Sequence, residues 1–498
     1  MSSEDQKKSL FQNWTSVIGG ILSTFFFAVI LFLFILDFRA KHVNPYLGVI
    51  TYLVAPGFLI VSLLLIPIGA FRERKRRYQR GYVQRFPHID FNNPTHQKIA
   101  FATISVVTLF LLFTMVGSYK AYEFTESVTF CGKLCHQVME PEFTAYQHSP
   151  HARVACVECH IGPGADWFVR SKISGSYQIY SVLFKKYHKP IETPVKNLRP
   201  AQETCEQCHW PRQFFGAVEQ NRHYFLSDEA NTEWKTRMLM FVGGGIPPFG
   251  KREGIHWHMN INNRVEYIAS DEKRQVIPWV KKIGSDGREE IYVDETSGFT
   301  QDNPPKGELR RMDCMDCHNR PSHIYKSPNE AVNEALTYGA MDKTLPFIKA
   351  ESVKALTGTY TSHEEAKVKI KWQLEEFYKT KYPEIWNAKK GSINRSINAL
   401  VEIYRTNFFP QMGVSWQVYP DHIGHKDFLG CFRCHDGRHK TQDGKVLTKD
   451  CKSCHNIIEQ GPVAGVLEQS AEGLEFKHPE DIGDSWKEMS CSECHTGA

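Results

Sequence analysis

All fourteen cysteines of this 498-residue chain fall into seven pairs, and each pair is followed at once by a histidine. The pairs are Cys131/Cys135-His136, Cys156/Cys159-His160, Cys205/Cys208-His209, Cys314/Cys317-His318, Cys431/Cys434-His435, Cys451/Cys454-His455 and Cys491/Cys494-His495. Six of them are strict C-x-x-C-H, the attachment motif of c-type haem, in which two thiols bond the haem vinyl groups and the adjacent histidine ligates the iron. Structural zinc needs four ligands and gives no reason for a histidine after every second cysteine. Disulfides explain even numbers but not the histidines. The six motifs therefore predict six covalent haems. The first pair, with three intervening residues, predicts a seventh of a special kind, its alternative being a disulfide.

Haem attachment of this type takes place outside the cytoplasm, so the chain must be exported, and its N-terminal part supplies the means. Three uncharged or nearly uncharged stretches, Val17–Leu36, Leu47–Ala70 and Ile99–Tyr119, are each long enough to cross a bilayer as a helix. The first is too long for a cleaved signal peptide and lacks a small-residue cleavage site. The 71–98 loop carries Arg72, Arg74, Lys75, Arg76, Arg77, Arg80, Arg85 and Lys98 against Glu73 and Asp90. The loop after the first span has only Arg39 and Lys41 as basic residues. The positive-inside rule then puts the N-terminus and the 71–98 loop in the cytoplasm and everything beyond about Tyr119 in the periplasm, on the inner membrane of a bacterium. The excess of basic residues in that one loop exceeds the formal net charge of +5 for the whole chain. The remainder is close to neutral or acidic, which excludes a nucleic-acid partner and leaves the basic run as a topology anchor beside anionic lipid.

Motif spacing divides the rest. A membrane anchor over 1–120 is expected, then a four-haem core over 121–325 containing a β-rich spacer at about 211–310, a helical spacer over 326–425, and a three-haem segment over 426–498. In the first spacer "RVEYIAS", "QVIPWVKKI" and "EEIYVDE" flank the turn "GSDG" and predict a small antiparallel meander. In the second, "HEEAKVKIKWQLEEFYKTKY" and "INRSINALVEIYRTNFF" have apolar residues at helical spacing. The fold class is thus mainly α, with three transmembrane helices followed by a multihaem domain containing little other regular structure. The Gly-rich Phe241–Gly250 stretch lacks the strand-before, helix-after context of a phosphate loop and predicts no nucleotide site.

Each haem needs a second axial ligand. Twelve periplasmic histidines are not part of a motif: His148, His151, His188, His223, His256, His258, His323, His363, His422, His425, His439 and His478. So many spare imidazoles predict bis-histidine iron, which carries electrons and leaves no open coordination position. Nearness to a motif favours His151, His323, His425, His439 and His478, with His256 or His258 serving another.

The segments "FCGKLCHQVMEPEFTAYQHSPH", "CVECH", "ETCEQCH" and "DCMDCHNRPSH" resemble the four-haem core of the NapC/NirT/NrfH family of membrane-anchored quinol dehydrogenases. The added helices and three further haems are similar to seven-haem inner-membrane cytochromes of metal-reducing bacteria. The resemblance implies that the first haem faces quinol and that a methionine just after its motif is an axial ligand. Met139 takes that place, one residue later than usual, after a motif one residue longer than usual, so either His136 or Met139 binds iron there. Lys172, twelve residues after His160, matches the family's quinol-site lysine. The family's carboxylate is not evident at Tyr177, Gln178 and Ile179, and Asp166, Glu140 or Glu142 is its substitute.

Chemistry agrees with that implication. Only a dozen residues separate the third span from Cys131, which keeps the first haem at the membrane surface. Asp166–Phe184 interleaves aromatic and basic residues as an interfacial helix does. The expected activity is oxidation of menaquinol from the membrane pool, with electrons relayed through seven haems to periplasmic c-type cytochromes in anaerobic or extracellular metal respiration. The alternative is a terminal reductase of an oxyanion such as nitrite, but no C-x-x-C-K marks an open haem.

Overall fold

The computed structural model describes residues 9–39, 47, 49–79, 90–134, 136–162, 164–195, 198–209, 216–243, 254–259 and 263–497. Arg80, Arg85, Cys135 and most of the Gly-rich Phe241–Gly250 stretch lie outside the described residues, as does the side chain of His136. The chain forms two compact units, one of residues 1–139 with 155–157, the other of residues 140–154 with 158–498.

The first unit holds α1 (Trp14–Arg39), a π-helical turn at Ile50–Val54 leading into α2 (Ala55–Gln79), α3 (Pro94–Thr125) and the short α4 (Val128–Lys133). All three expected spans are helices long and apolar enough to cross a membrane. They anchor the protein there. Apolar side chains offer helices no hydrophobic gain against each other in lipid, so small residues and hydrogen bonds must join them. The contact of α1 with α2 follows that rule. Ser16 Oγ donates to the Ile66 carbonyl at 2.9 Å, and a Cβ on Gly19 would come within 2.9 Å of the Ser62 carbonyl and Leu65. Arg76 and Arg77 lie in the last turn of α2, where the helix dipole favours cations. Asn93 caps α3 by accepting from Thr95 N–H, and Pro94 occupies its first position.

The second unit is built on two antiparallel sheets and a helical layer. Its strands are β1 (Ala217–Phe225), β2 (Glu233–Phe241), β3 (Arg264–Ile268), β4 (Trp279–Ile283), β5 (Glu289–Asp294), β6 (Arg310–Arg311), β7 (His439–Lys440), β8 (His455–Pro462) and β9 (Glu468–Leu474). The sheets run β1-β2-β8-β9 and β6-β3-β4-β5-β7. The expected meander is β3-β4-β5, with Gly287 at a positive φ in the β4–β5 turn. The β1–β2 hairpin adds a second sheet, and β7 and β8 pair with β5 and β2. The C-terminal segment is thereby knitted into the sheets of the first spacer. Val265, Tyr267, Ile277, Val280 and Tyr292 form the core of one sheet, with Trp257, Met312 and Cys434 packed on it.

The helices are α5 (His136–Gln147) and α6 (Cys156–His160), the first residues of both belonging to the first unit, α7 (Ala165–Leu183), α8 (Ala201–Cys205), α9 (Cys314–Cys317), α10 (Pro328–Thr337), α11 (Ile348–Leu356), α12 (His363–Lys381), α13 (Pro383–Asn407), α14 (Ser485–Glu488) and α15 (Cys491–Cys494). The two expected amphipathic segments are α12 and most of α13. Ala366, Ile370, Leu374 and Tyr378 recur every four residues on α12 and are buried, as are Ile393, Ile397, Leu400 and Tyr404 on α13. Full burial of such a side chain contributes roughly 1.5–3 kcal/mol each, so this spacer stabilises itself. The six strict C-x-x-C-H stretches hold only helical turns of three to five residues.

Candidate haem centres

A C-x-x-C-H motif is one turn of helix long. The N–H of His209, His318, His435 and His495 donates to the carbonyl of the first cysteine of its motif at 2.8–3.0 Å. An i, i+3, i+4 set lies on one face of such a turn, so both thiols and the imidazole point the same way. Two of the turns are closed by capping boxes, Asp313 with Asp316 around Cys314–Cys317 and Ser490 with Glu493 around Cys491–Cys494. Buried Asp316 also accepts from Tyr267 Oη (2.6 Å), Arg310 Nε (2.8 Å) and Arg274 (3.0 Å). Its charge is thus matched inside the protein, and the turn of the fourth motif is fixed to the sheet.

The third motif is held differently. Helix α8 stops at Cys205, so Cys208 follows in a turn outside the helix, where its N–H donates to the Cys205 carbonyl at 3.1 Å. Cys208 is exposed, as are Cys159 and Cys494 at the same motif position, whereas Cys317, Cys434 and Cys454 are half-buried.

Opposite the motif histidines stand others. Six pairs of rings face each other: His209 and His151 at 6.0 Å between centroids, His160 and His323 at 6.3 Å, His318 and His256 at 6.3 Å, His435 and His258 at 5.8 Å, His455 and His425 at 6.3 Å, and His495 and His478 at 5.9 Å. Two imidazoles on opposite sides of one metal ion, each nitrogen about 2 Å from it, put their centroids about 6 Å apart. Among the described residues no three His, Cys, Asp or Glu side chains converge on a point as they would around a bare ion. The observed twos fit a planar macrocycle between them. Burial lowers the pKa of His258, His323, His425, His435, His455 and His495. That favours neutral imidazole, the form that ligates metal.

The N-terminal-region profile of the NapC/NirT cytochrome c family matches residues 93–198, and the cytochrome c3 profile matches residues 424–498. The chain is 44% identical to cytochrome c-type protein ImcH of Geobacter sulfurreducens over 98% of its own length and 95% of that protein's. The chain belongs to the NapC/NirT family and is ImcH-like. A second relative, cytochrome c-type protein NrfH of Wolinella succinogenes, is 28% identical over 21% of this chain and 61% of its own length. No solved structure matches. As a member of this family of c-type cytochromes the protein carries covalently bound haem c, and the paired rings and adjacent thiols are a set that fits it.

The expected second ligands divide in the structure. His151, His323, His425 and His478 each face a motif histidine, and so do both His256 and His258, where the sequence predicts only one of the two to serve. These two share the 3-10 turn Ile255–Met259, where residues two apart project about 240° from each other and can serve different partners. His439 is corrected. It is buried, with Nδ1 2.9 Å from Asp436 Oδ1 and Nε2 2.7 Å from the Ile277 carbonyl. Burial opposes its charge, yet these hydrogen bonds outweigh it and raise its pKa, so both ring nitrogens donate and neither is left for iron. The Asp in "HDGRH" three residues before it was the available signal. His223, His363 and His422 likewise hold protein partners: Glu233, the Phe408 carbonyl, and the Asp316 carbonyl with Gln275.

Around the first motif, the thiols of Cys131 and Cys156 are in hydrogen-bonding contact. Met139 is half-buried on α5, one turn after His136. Lys172 is half-buried on α7, its ammonium 4.8 Å from the Phe168 ring. Asp166 is exposed in the first turn of the same helix, and six residues of helical rotation put it on a different face from Lys172. Glu140 is exposed on α5 and stands near Arg405, whose pKa is raised mainly by its hydrogen bond to Glu402 and to a smaller extent by Glu140. Val169, Ile173, Tyr177, Tyr180 and Phe184 give the α7 segment an exposed apolar flank.

Proposed function

We propose that the protein is a quinol dehydrogenase of the bacterial inner membrane that oxidises menaquinol and relays electrons through seven haems to periplasmic c-type cytochromes, in anaerobic or extracellular metal respiration. The observation that carries this reading is the set of six facing histidine pairs in a chain anchored by three apolar helices. In this reading each of the fourteen cysteines, exposed Cys208 included, holds a vinyl group, six motif histidines with His151, His256, His258, His323, His425 and His478 are axial ligands, and Met139 or His136 serves the first site. Bound haem supplies one-electron chemistry, and bis-histidine ligation directs it to transfer rather than to substrate. A chain-order relay is supported by the neighbourhood of consecutive motifs. Cys159 lies within electrostatic reach of Cys205, Cys205 contacts Cys314, and Cys317, Cys431, Cys454, Cys451 and Cys491 continue the series.

Quinol oxidation also requires that two protons leave. The Lys172 ammonium would donate to a quinol oxygen and favour the developing anion, and a carboxylate would take the proton. Asp166 and Glu140, both exposed, are the proposed acceptors. The apolar flank of α7 is of the kind that lies in a membrane interface, where such a substrate arrives laterally. Reduction of the purified protein by a menaquinol analogue, followed at the haem absorbance, tests the function. Reduction by quinol is expected. Reduction by dithionite alone would overturn it and leave the oxyanion reductase as the reading to pursue.

A further inference from the structure

We propose that Glu142 and Arg320 are an opposed pair of positioning residues that set the electron donation of the His323 imidazole and hence the potential of the iron it would share with His160. This inference rests on the ligand reading of those two histidines. His323 Nδ1 lies 3.0 Å from the Glu142 carbonyl and 3.2 Å from its Oε2, which leaves Nε2 as the nitrogen for iron. Arg320 grips the same carboxylate with two hydrogen bonds of 2.9 and 3.0 Å and donates through Nε to the His323 carbonyl at 2.7 Å. Its guanidinium lies 4.0 Å from the Tyr419 ring centroid and 5.2 Å from that of Tyr325. The Arg320 and Glu142 side chains are only 10% and 13% exposed, so water screens this triad weakly.

The two charges act in opposite senses. His323 Nδ1–H donates to the Glu142 carbonyl, and the negative charge of the carboxylate 3.2 Å from Nδ1 draws that proton and makes Nε2 a stronger donor, which would stabilise the oxidised, more positive iron and lower its potential. The guanidinium neutralises that carboxylate and limits the effect. The balance is built from "HNRPSH" on one side and α5 on the other, and α5 also carries Met139 one turn earlier.

Spectroelectrochemical titration of the full-length, haem-loaded protein tests the pair, with haem content and low-spin absorbance as controls. Glu142→Gln keeps the shape and the acceptor oxygen but removes the charge, and should raise the midpoint of one haem while the others stay put. Arg320→Gln should lower the same midpoint, and Arg320→Lys should restore it. An unmoved titration in Glu142→Gln, or shifts of the same sign in Glu142→Gln and Arg320→Gln, would overturn the proposal. Should Arg320→Gln lose haem, near-isosteric Glu142→Gln decides alone. His323→Ala separates the two levels: if every haem stays low-spin in that variant, the ligand reading has failed and not merely the control exerted by the pair.

Discussion

The first motif and the six that follow share two thiols and a histidine but differ in what accompanies them. Six motif histidines each face a second imidazole 5.8–6.3 Å away. The first has a longer cysteine spacing and a methionine one helical turn on. Two imidazoles make a low-potential carrier with no open position, and sites of that kind can be repeated. A thioether is a weaker donor that raises the potential, which suits the place where electrons enter from quinol and leave protons behind. On this account the odd motif is the functional end of the chain and the six regular ones are its conductor.

The comparison breaks most readily at the entry. Lys172→Met should slow reduction by a menaquinol analogue by about 10²-fold, the scale on which removal of one donor to a developing anion acts, while dithionite still reduces every haem. A normal quinol rate would move the entry elsewhere. Next in size is the loss of a ligand. Replacing His151, His256, His258, His323, His425 or His478 by Ala, one at a time, should convert one low-spin haem to high-spin in the absorbance and paramagnetic resonance spectra. A silent variant would remove that residue from the ligand set.

Met139→Ala sharpens the contrast between the two kinds of site, since it should change the potential or spin state of one haem and leave six spectra as they are. If nothing shifts, the first iron is held by histidine alone and the proposed difference between the ends disappears. The smallest effect belongs to His439. His439→Gln should leave all spin states intact and lower thermal stability by about 2 kcal/mol, the cost of disturbing buried hydrogen bonds. A new high-spin haem in that variant would return His439 to the ligands.

Much of this was legible in the chain because its signals are local. C-x-x-C-H is a contiguous motif, the three spans are runs of apolar residues, and β3-β4-β5, α12 and α13 carry their own periodicity. What was hidden depends on distant pairing. Polar side chains fill most of "AVEQNRHYF", and β1 is a strand because β2 pairs with it. Strands β7 and β8 exist because β5 and β2 offer them edges. The histidines show the same limit. Distance along the chain could not separate His439, whose nearest partner is Asp436, from His425, whose ring faces His455. Nor could it show that His256 and His258 face different motifs, since that depends on the helical turn they share. The motif is equally silent on enclosure: Cys208 and Cys317 read alike in the sequence, yet one is exposed and the other half-buried. No local signal marks Arg320, because its partner Glu142 is 178 residues away in the chain.

On this reading seven haems of two kinds are attached, one of them at the odd motif. Intact-mass determination of the purified protein, read with its pyridine haemochrome content, tests this most directly. Seven haems per chain, with all fourteen cysteines in thioether linkage, is the predicted result. Six haems, with Cys131 and Cys135 joined as a disulfide, would contradict it.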